Sequence, residues 1–201
     1  MAEIIRRKTV QVGTYAVNCT LLTFGGKTWI VDPGSWDECL ADALKSTDAA
    51  PDAILLTHGH FDHIGGIPAL QESYPSLKVF VHPDDVPMLG HPLNQSPPDY
   101  PRISAPQNIA DCRELEGVEV IHTPGHTPGG VCYYFPSEKL LLSGDTLFAG
   151  SIGRTDFPGG SMARISESLK TLAALPDDTT VIPGHGPFTT IGREKATNPY
   201  L

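Results

Sequence analysis

Four short segments of this 201-residue chain share one design: an apolar run, a turn containing glycine, then a histidine or an aspartate. They are Leu55-Leu56-Thr57-His58-Gly59-His60-Phe61-Asp62-His63, Thr123-Pro124-Gly125-His126-Thr127, Ser143-Gly144-Asp145-Thr146 and Ile182-Pro183-Gly184-His185-Gly186. Strand ends are rigid, and glycine lets the backbone turn and approach closely. Imidazole nitrogen and carboxylate oxygen suit zinc or another borderline divalent ion. A fold that gathers these turns would gather a metal centre.

In the first segment, residues at i and i+2 of an extended stretch point the same way, so His58 and His60 can grip one ion together. Asp62 and His63 follow where Gly65-Gly66 and the apolar residues after them predict a turn into a helix, and they can face a second position beside the first. His58, His60, His63, His126 and His185 with Asp62 and Asp145 are more ligands than one tetrahedral ion needs. Two ions bridged by Asp145 would use all of them. Of the remaining histidines, His82 and His91 are expected at the surface near a proline-rich stretch. His122 is expected to be a packed core histidine rather than a partner that supports a ligand from behind.

The chain carries 20 Gly and 19 Pro, an excess of turn formers too aperiodic for a repeat or low-complexity protein. With 40% hydrophobic and 18% charged residues it reads as a folded globule, and its length predicts one domain over 1–201. A net charge of −9 disfavours phosphate backbones and anionic membranes, so neither nucleic acid nor membrane is an expected partner. No apolar stretch follows the charges of the first eight residues and no window approaches a membrane span, so a cytoplasmic protein is expected. Cys19, Cys39, Cys112 and Cys132 lack CxxC spacing and are read as reduced thiols, with Cys132 in the core.

Patterning predicts strands over 4–12, 20–24, 27–31, 53–56, 77–81, 117–121, 131–135, 140–143 and 179–182, and helices over 36–46, 67–74 and 162–174. Gly25-Gly26 predicts a hairpin turn. The segment from Pro83 to Pro106 holds seven prolines and little periodicity, and is expected to be a long ordered loop or rim. The element order suggests an α+β fold, a four-layer αββα sandwich of two sheets with helices outside.

The ligand segments together resemble those of the metallo-β-lactamase-fold hydrolases, over most of the chain. Within that superfamily, Gly144-Asp145-Thr146-Leu147-Phe148-Ala149-Gly150-Ser151-Ile152-Gly153-Arg154-Thr155-Asp156-Phe157, the ending Pro183-Gly184-His185-Gly186-Pro187 and Asn198-Pro199 resemble the short glyoxalase II-like (YcbL-type) hydroxyacylglutathione hydrolases. The resemblance implies the αββα sandwich with metals at one edge. It also implies His58, His60 and His126 on one metal, Asp62, His63 and His185 on the other, and Asp145 bridging. Asp32, in Val31-Asp32-Pro33-Gly34, matches the family's first motif, whose carboxylate supports the histidine-rich loop.

The expected reaction is attack on a small-molecule thioester carbonyl by hydroxide held between two divalent ions. Zinc is the expected metal, with iron or manganese as alternatives, and an acylglutathione such as S-lactoylglutathione is the expected substrate. Asp62 would orient the nucleophile, and in a singly metallated form would serve as general base. Only 16 residues follow His185, so the helical extension that supplies glutathione contacts in full-length glyoxalase II is expected to be missing. Arg154 would then offer a cation to a substrate carboxylate, or pair with Asp156 to shape its loop. A competing reading is oxidative. Persulfide dioxygenases share the fold and a similar Gly-Arg-Thr-Asp stretch but use one iron, which His58, His126 and Asp145 could hold. A third reading is a metal-stapled interaction protein without catalysis.

Overall fold

A computed structural model describes residues 6–47, 49–95 and 102–201. The first sheet contains β1 (Arg6–Val12), β2 (Val17–Phe24), β3 (Lys27–Val31), β4 (Ala53–Leu55), β5 (Lys78–Val81) and β6 (Ile109–Asp111), side by side in that order. β1, β2 and β3 are antiparallel, and β3 through β6 are parallel. Gly25 and Gly26 both adopt positive φ between paired Phe24 and Lys27, the backbone expected of a two-residue hairpin turn.

The second sheet is built from β7 (Glu119–His122), β8 (Val131–Phe135), β9 (Leu140–Gly144), β12 (Thr180–Pro183) and β13 (Thr189–Thr190), in the order β13-β12-β9-β8-β7. The short hairpin of β10 (Leu147–Phe148) and β11 (Ser151–Ile152) stands beside it. Helices α1 (Glu38–Lys45), α2 (Phe61–Ile64), α3 (Ile67–Ser73), α4 (Val86–Leu89) and α5 (Pro92–Gln95) belong to the first half, and α6 (Met162–Ala173) and α7 (Ile191–Thr197) to the second.

Period-two alternation in the strands separates the layers. Leu21 and Ile30 face out from the first sheet, where they pack with Leu40 and Leu44 of α1 and Ile67 and Leu70 of α3. Their neighbours Leu22, Trp29 and Val31 face inward and meet Tyr133, Phe135, Leu140 and Leu142 of the second sheet. Cys132, Tyr134 and Leu141, between those residues, face out again under Leu169 and Leu172 of α6 and Ile191 of α7. The central strands of both large sheets are therefore buried on both faces, and the αββα sandwich follows.

Some expectations shift. Trp36 lies outside α1 and is exposed, because Asp37 caps the helix by accepting the Leu40 N–H at 3.1 Å. The proline-rich segment is not a continuous loop: it holds a 3₁₀ turn at Pro83–Asp85 and the one-turn helices α4 and α5. Pro97, Pro98 and Pro101, together with Ile4 of the first expected strand, lie outside the described residues. Cys19, Cys39, Cys112 and Cys132 are free thiols, three of them buried. Among the described residues no helix is long and apolar enough to cross a membrane.

Candidate metal centre

The topology places the ligand segments before any side chain is considered. β3 and β4 are parallel, as are β9 and β12, and β7 runs antiparallel to β8, which runs antiparallel to β9. The C-terminal ends of β7, β9 and β12 therefore share one edge of their sheet, and those of β3 and β4 share one edge of theirs. Cross-sheet hydrogen bonds from Val131 N to Thr57 O and from Asn18 N to Gly184 O, both 2.8 Å, bring the two edges together.

Three groups of nitrogen and oxygen atoms, each within 4.8 Å of one another, overlap there: His58, His60 and His126; His58, His63 and Asp145; and Asp62, His63 and His185. His60 Nδ1 lies 2.8 Å from His126 Nε2. Buried His58 Nε2 has no hydrogen-bond partner. His185 Nε2 lies 3.3 Å from Asp62 Oδ2 and 3.4 Å from His63 Nε2. Asp145 stands between the groups. Its Oδ1 is 3.4 Å from His63 Nε2, and its Oδ2 is 3.6 Å from both His126 Nε2 and His185 Nε2. Imidazole nitrogens and carboxylate oxygens that converge this closely form a donor set for cations, and the residues present could hold two divalent ions with Asp145 shared.

The other ring nitrogens fix which atom each histidine offers. His126 Nδ1 faces the Arg154 carbonyl at 2.8 Å and His185 Nδ1 faces the Tyr15 carbonyl at 3.0 Å, so both must donate there and leave Nε2 as the lone pair. His63 Nδ1 lies 3.0 Å from Asp32 Oδ2. The Thr57 hydroxyl donates to the same carboxylate at 2.6 Å and can accept from His58 Nδ1, 3.1 Å away. Asp32, buried after β3, therefore orients one histidine of each group.

Glycine is required at two of the turns. Gly144 has φ +47°, and a Cβ there would fall 2.3 Å from Thr57 Oγ1. A Cβ on Gly184 would fall 2.1 Å from Asp145 Oδ1 and 2.8 Å from His63 Cε1.

Charge is divided unevenly over the cluster. Burial, reinforced by the surrounding imidazoles, holds His58 well below its ordinary pKa, and burial with His126 pushes His60 down to about 3. Burial also works against charge on His63, but Asp32 and Asp145 outweigh it and raise that pKa. His185 is raised in the same way by its bond to Asp62 and by Asp145. Asp145 stays far below the usual carboxylate range because His63, His126 and His185 outweigh its burial. Loading of apo-protein near neutral pH is therefore expected to expel protons from His63 and His185 and few from His58 and His60. Binding at Asp62, His63 and His185 should weaken more steeply on acidification than binding at His58, His60 and His126. Calorimetric titrations in buffers of different ionisation enthalpy, repeated across pH, measure this; equal proton release at both positions would contradict it.

Two other histidines differ from expectation. His82 is buried, because it follows β5 directly and turns in to accept the Asp84 N–H. His122 is exposed rather than packed in the core, and its ring stacks flat on His82 with centroids 4.1 Å apart. Asp84 completes a third ligand-like group there. Parallel rings send their lone pairs in parallel directions instead of converging them, and His122 Nε2 is 3.0 Å from the Pro128 carbonyl.

The guanidinium of Arg154 forms two 2.7 Å hydrogen bonds to Asp156 and lies 3.7 Å from the Phe157 ring centroid. Its contact with the centre is made by its main chain, through His126. Phe157 stands edge-on to His60 with centroids 5.7 Å apart, and Tyr15 packs against Phe61 at 5.3 Å, so aromatic side chains flank the cluster. Residue type alone does not reveal the Tyr15 and Arg154 carbonyls, since any residue supplies a carbonyl. Asp85 was also missed; its only sequence signal is an acid lying between the apolar residues Val81, Val86 and Leu89.

A model of the metallo-beta-lactamase superfamily matches residues 12–185. The hydroxyacylglutathione hydrolase GloC of Haemophilus influenzae is 35% identical over 204 residues, covering 96% of this chain and 96% of that protein. Among solved structures, TTHA1623 in a di-iron-bound form matches with a TM-score of 0.89 and 41% identity, over 96% of this chain and 100% of that one. BLEG-1 B3 metallo-beta-lactamase matches with a TM-score of 0.85 and 37% identity, over 98% and 99% of the two chains.

Proposed function

This chain belongs to the metallo-β-lactamase superfamily, and from that premise we propose that it is a two-metal hydrolase of acyl thioesters, with acylglutathiones such as S-lactoylglutathione as its substrate class. The observation that carries the proposal is the convergence of His58, His60 and His126 on one side of Asp145 and of Asp62, His63 and His185 on the other. A mononuclear iron site would need only His58, His126 and Asp145, leaving the second group without a task. The likeness to GloC supports the thioester, and the di-iron form of TTHA1623 supports a pair of ions.

Two divalent ions held there, zinc or iron or manganese, would polarise the thioester carbonyl and acidify a water for attack on it. The chain's own residues supply the rest. Asp145 turns Oδ2 toward both His126 and His185 and Oδ1 toward His63, so its carboxylate faces both groups, and its low pKa keeps it anionic throughout the neutral range. Asp62 is likewise held below its ordinary pKa, with its bond to His185 and the nearby His63 outweighing burial. An ionised Asp62 can accept a hydrogen bond from the attacking water and orient it. The leaving thiolate needs no acid from the protein, and His63, His126 and His185 are already committed through Nδ1. A substrate carboxylate could recruit the exposed Arg154 by exchange with Asp156, since such surface pairs are weak.

The test is a substrate panel on metal-reconstituted protein: several acylglutathiones, an acyl-coenzyme A, a β-lactam, and glutathione persulfide in an oxygen electrode. Chelator-sensitive thioester cleavage, fastest on acylglutathiones and without oxygen uptake, is expected. Stoichiometric oxygen consumption on the persulfide without thioester cleavage would instead establish the dioxygenase, and a β-lactam turned over faster than any thioester would overturn the substrate class.

A further inference from the structure

The proline-rich segment contributes two buried side chains to the metal centre, neither of them a candidate ligand. Asp85 ends the 3₁₀ turn that follows β5 and is fully buried. Its Oδ2 accepts the Gly59 N–H at 2.9 Å and the Thr127 hydroxyl at 2.8 Å, and its Oδ1 accepts the Gly129 N–H at 2.6 Å. Gly59 lies between His58 and His60, and Thr127 follows His126. One carboxylate thus ties together the two loops whose three histidines meet. Asn94 of α5 holds the other side of the same peptide segment, donating to the carbonyls of Gly59 at 2.5 Å and Met88 at 2.8 Å.

The packing is equally close. A Cβ on Gly129 would fall 2.6 Å from the Asp85 backbone nitrogen, and one on Gly59 would fall 3.2 Å from its carbonyl oxygen. All three groups facing the Asp85 carboxylate are donors, so an anion matches the site and an amide does not.

We propose that Asp85, assisted by Asn94, is the positioning clamp of the His58/His60/His126 half of the metal centre. It sets the separation between the 58–60 loop and the 126–129 turn, and therefore the point at which the three imidazoles converge. His63 and His185 reach the other position through Asp32 and Tyr15 and do not depend on it. The proposal rests on reading the cluster as a metal centre.

The experiment is a zinc titration of protein labelled with ¹⁵N-histidine, in which imidazole shifts report occupancy residue by residue without any turnover assay. In Asp85→Asn the new amide must face a donor, and affinity at His58, His60 and His126 is expected to fall about 10–100-fold, with affinity at His63 and His185 changed less than about 2-fold. Should Asp85→Asn fail to fold, Thr127→Val and Asn94→Ala each loosen the clamp without removing its carboxylate and are expected to show the same asymmetry at about 3–10-fold, less than the roughly 10–100-fold typical of losing a whole partner. In the apo-protein, hydrogen exchange of the Gly59 amide should accelerate in Asp85→Asn. Unchanged affinity at both positions, or equal losses at both, would overturn the clamp while leaving the metal centre intact. Wild-type protein that takes up no ion would overturn both.

Discussion

Asp145→Ala is expected to lower kcat by about 10³-fold or more and to collapse metal occupancy, the largest functional loss foreseen for one substitution. Asp145 is the anion the two groups have in common, with oxygens 3.4 Å from His63 Nε2 and 3.6 Å from His126 Nε2 and His185 Nε2. Without it, the charge of two divalent ions would face Asp62 and five neutral imidazoles. The substitution also opens space where Gly184 approaches Asp145. Asp145→Asn preserves the shape and removes only the charge, so a loss of about 10²-fold or more in that variant assigns the effect to electrostatics. Steady-state kinetics paired with elemental analysis checks both variants. An Asp145→Ala protein that keeps two ions and near-wild-type turnover would contradict the bridging role.

The largest stability effect is expected at Asp32. Its buried carboxylate accepts the Thr57 N–H at 2.8 Å and the Thr57 hydroxyl at 2.6 Å, and faces His63 Nδ1 at 3.0 Å. Asp32→Ala leaves these groups buried without their partner, at a cost of about 3–5 kcal/mol. The backbone adds to this: Asp32 sits at φ +50°, a left-handed conformation that costs most residues about 1–2 kcal/mol but that Asn and Asp tolerate. Asp32→Asn should therefore be milder. In apo-protein the penalty should also depend on pH. Asp32 helps raise the His63 pKa in the folded state, so their attraction contributes fully below the ordinary imidazole range and fades as pH rises through the raised folded value. Denaturant unfolding of apo wild type, Asp32→Ala and Asp32→Asn at mildly acidic and alkaline pH should show the gap to Asp32→Ala narrowing on the alkaline side. An Asp32→Ala protein within about 1 kcal/mol of wild type would place the support of the histidine loop elsewhere.

The turns that converge on the candidate site were legible in the sequence because each candidate ligand segment follows its own strand, so a local pattern marks both the strand and the turn. The sandwich was legible for a related reason. Runs such as Trp29-Ile30-Val31 and Cys132-Tyr133-Tyr134-Phe135 have no polar face, which suits strands buried on both sides. Elements whose stability is wholly tertiary escaped notice. β6, β10, β11 and β13 are two or three residues long and carry no period, and α7 has seven residues. His82 and His122 were misplaced because burial of a single residue after a strand depends on what packs over it; in this case the two rings pack on each other. Asp85 resembled any acid in a turn-rich stretch until the fold set three donors around it. The proline-rich stretch itself, which the sequence marks as a long loop or rim without assigning it a role, supplies that residue and Asn94 from its N-terminal part.

The most direct measurement of the two-metal centre is thioester turnover followed while a single metal is titrated into apo-protein. S-lactoylglutathione cleavage that climbs and breaks at two equivalents of ion per chain is the expected result. Full activity at one equivalent, or no thioester cleavage at any loading, would contradict it.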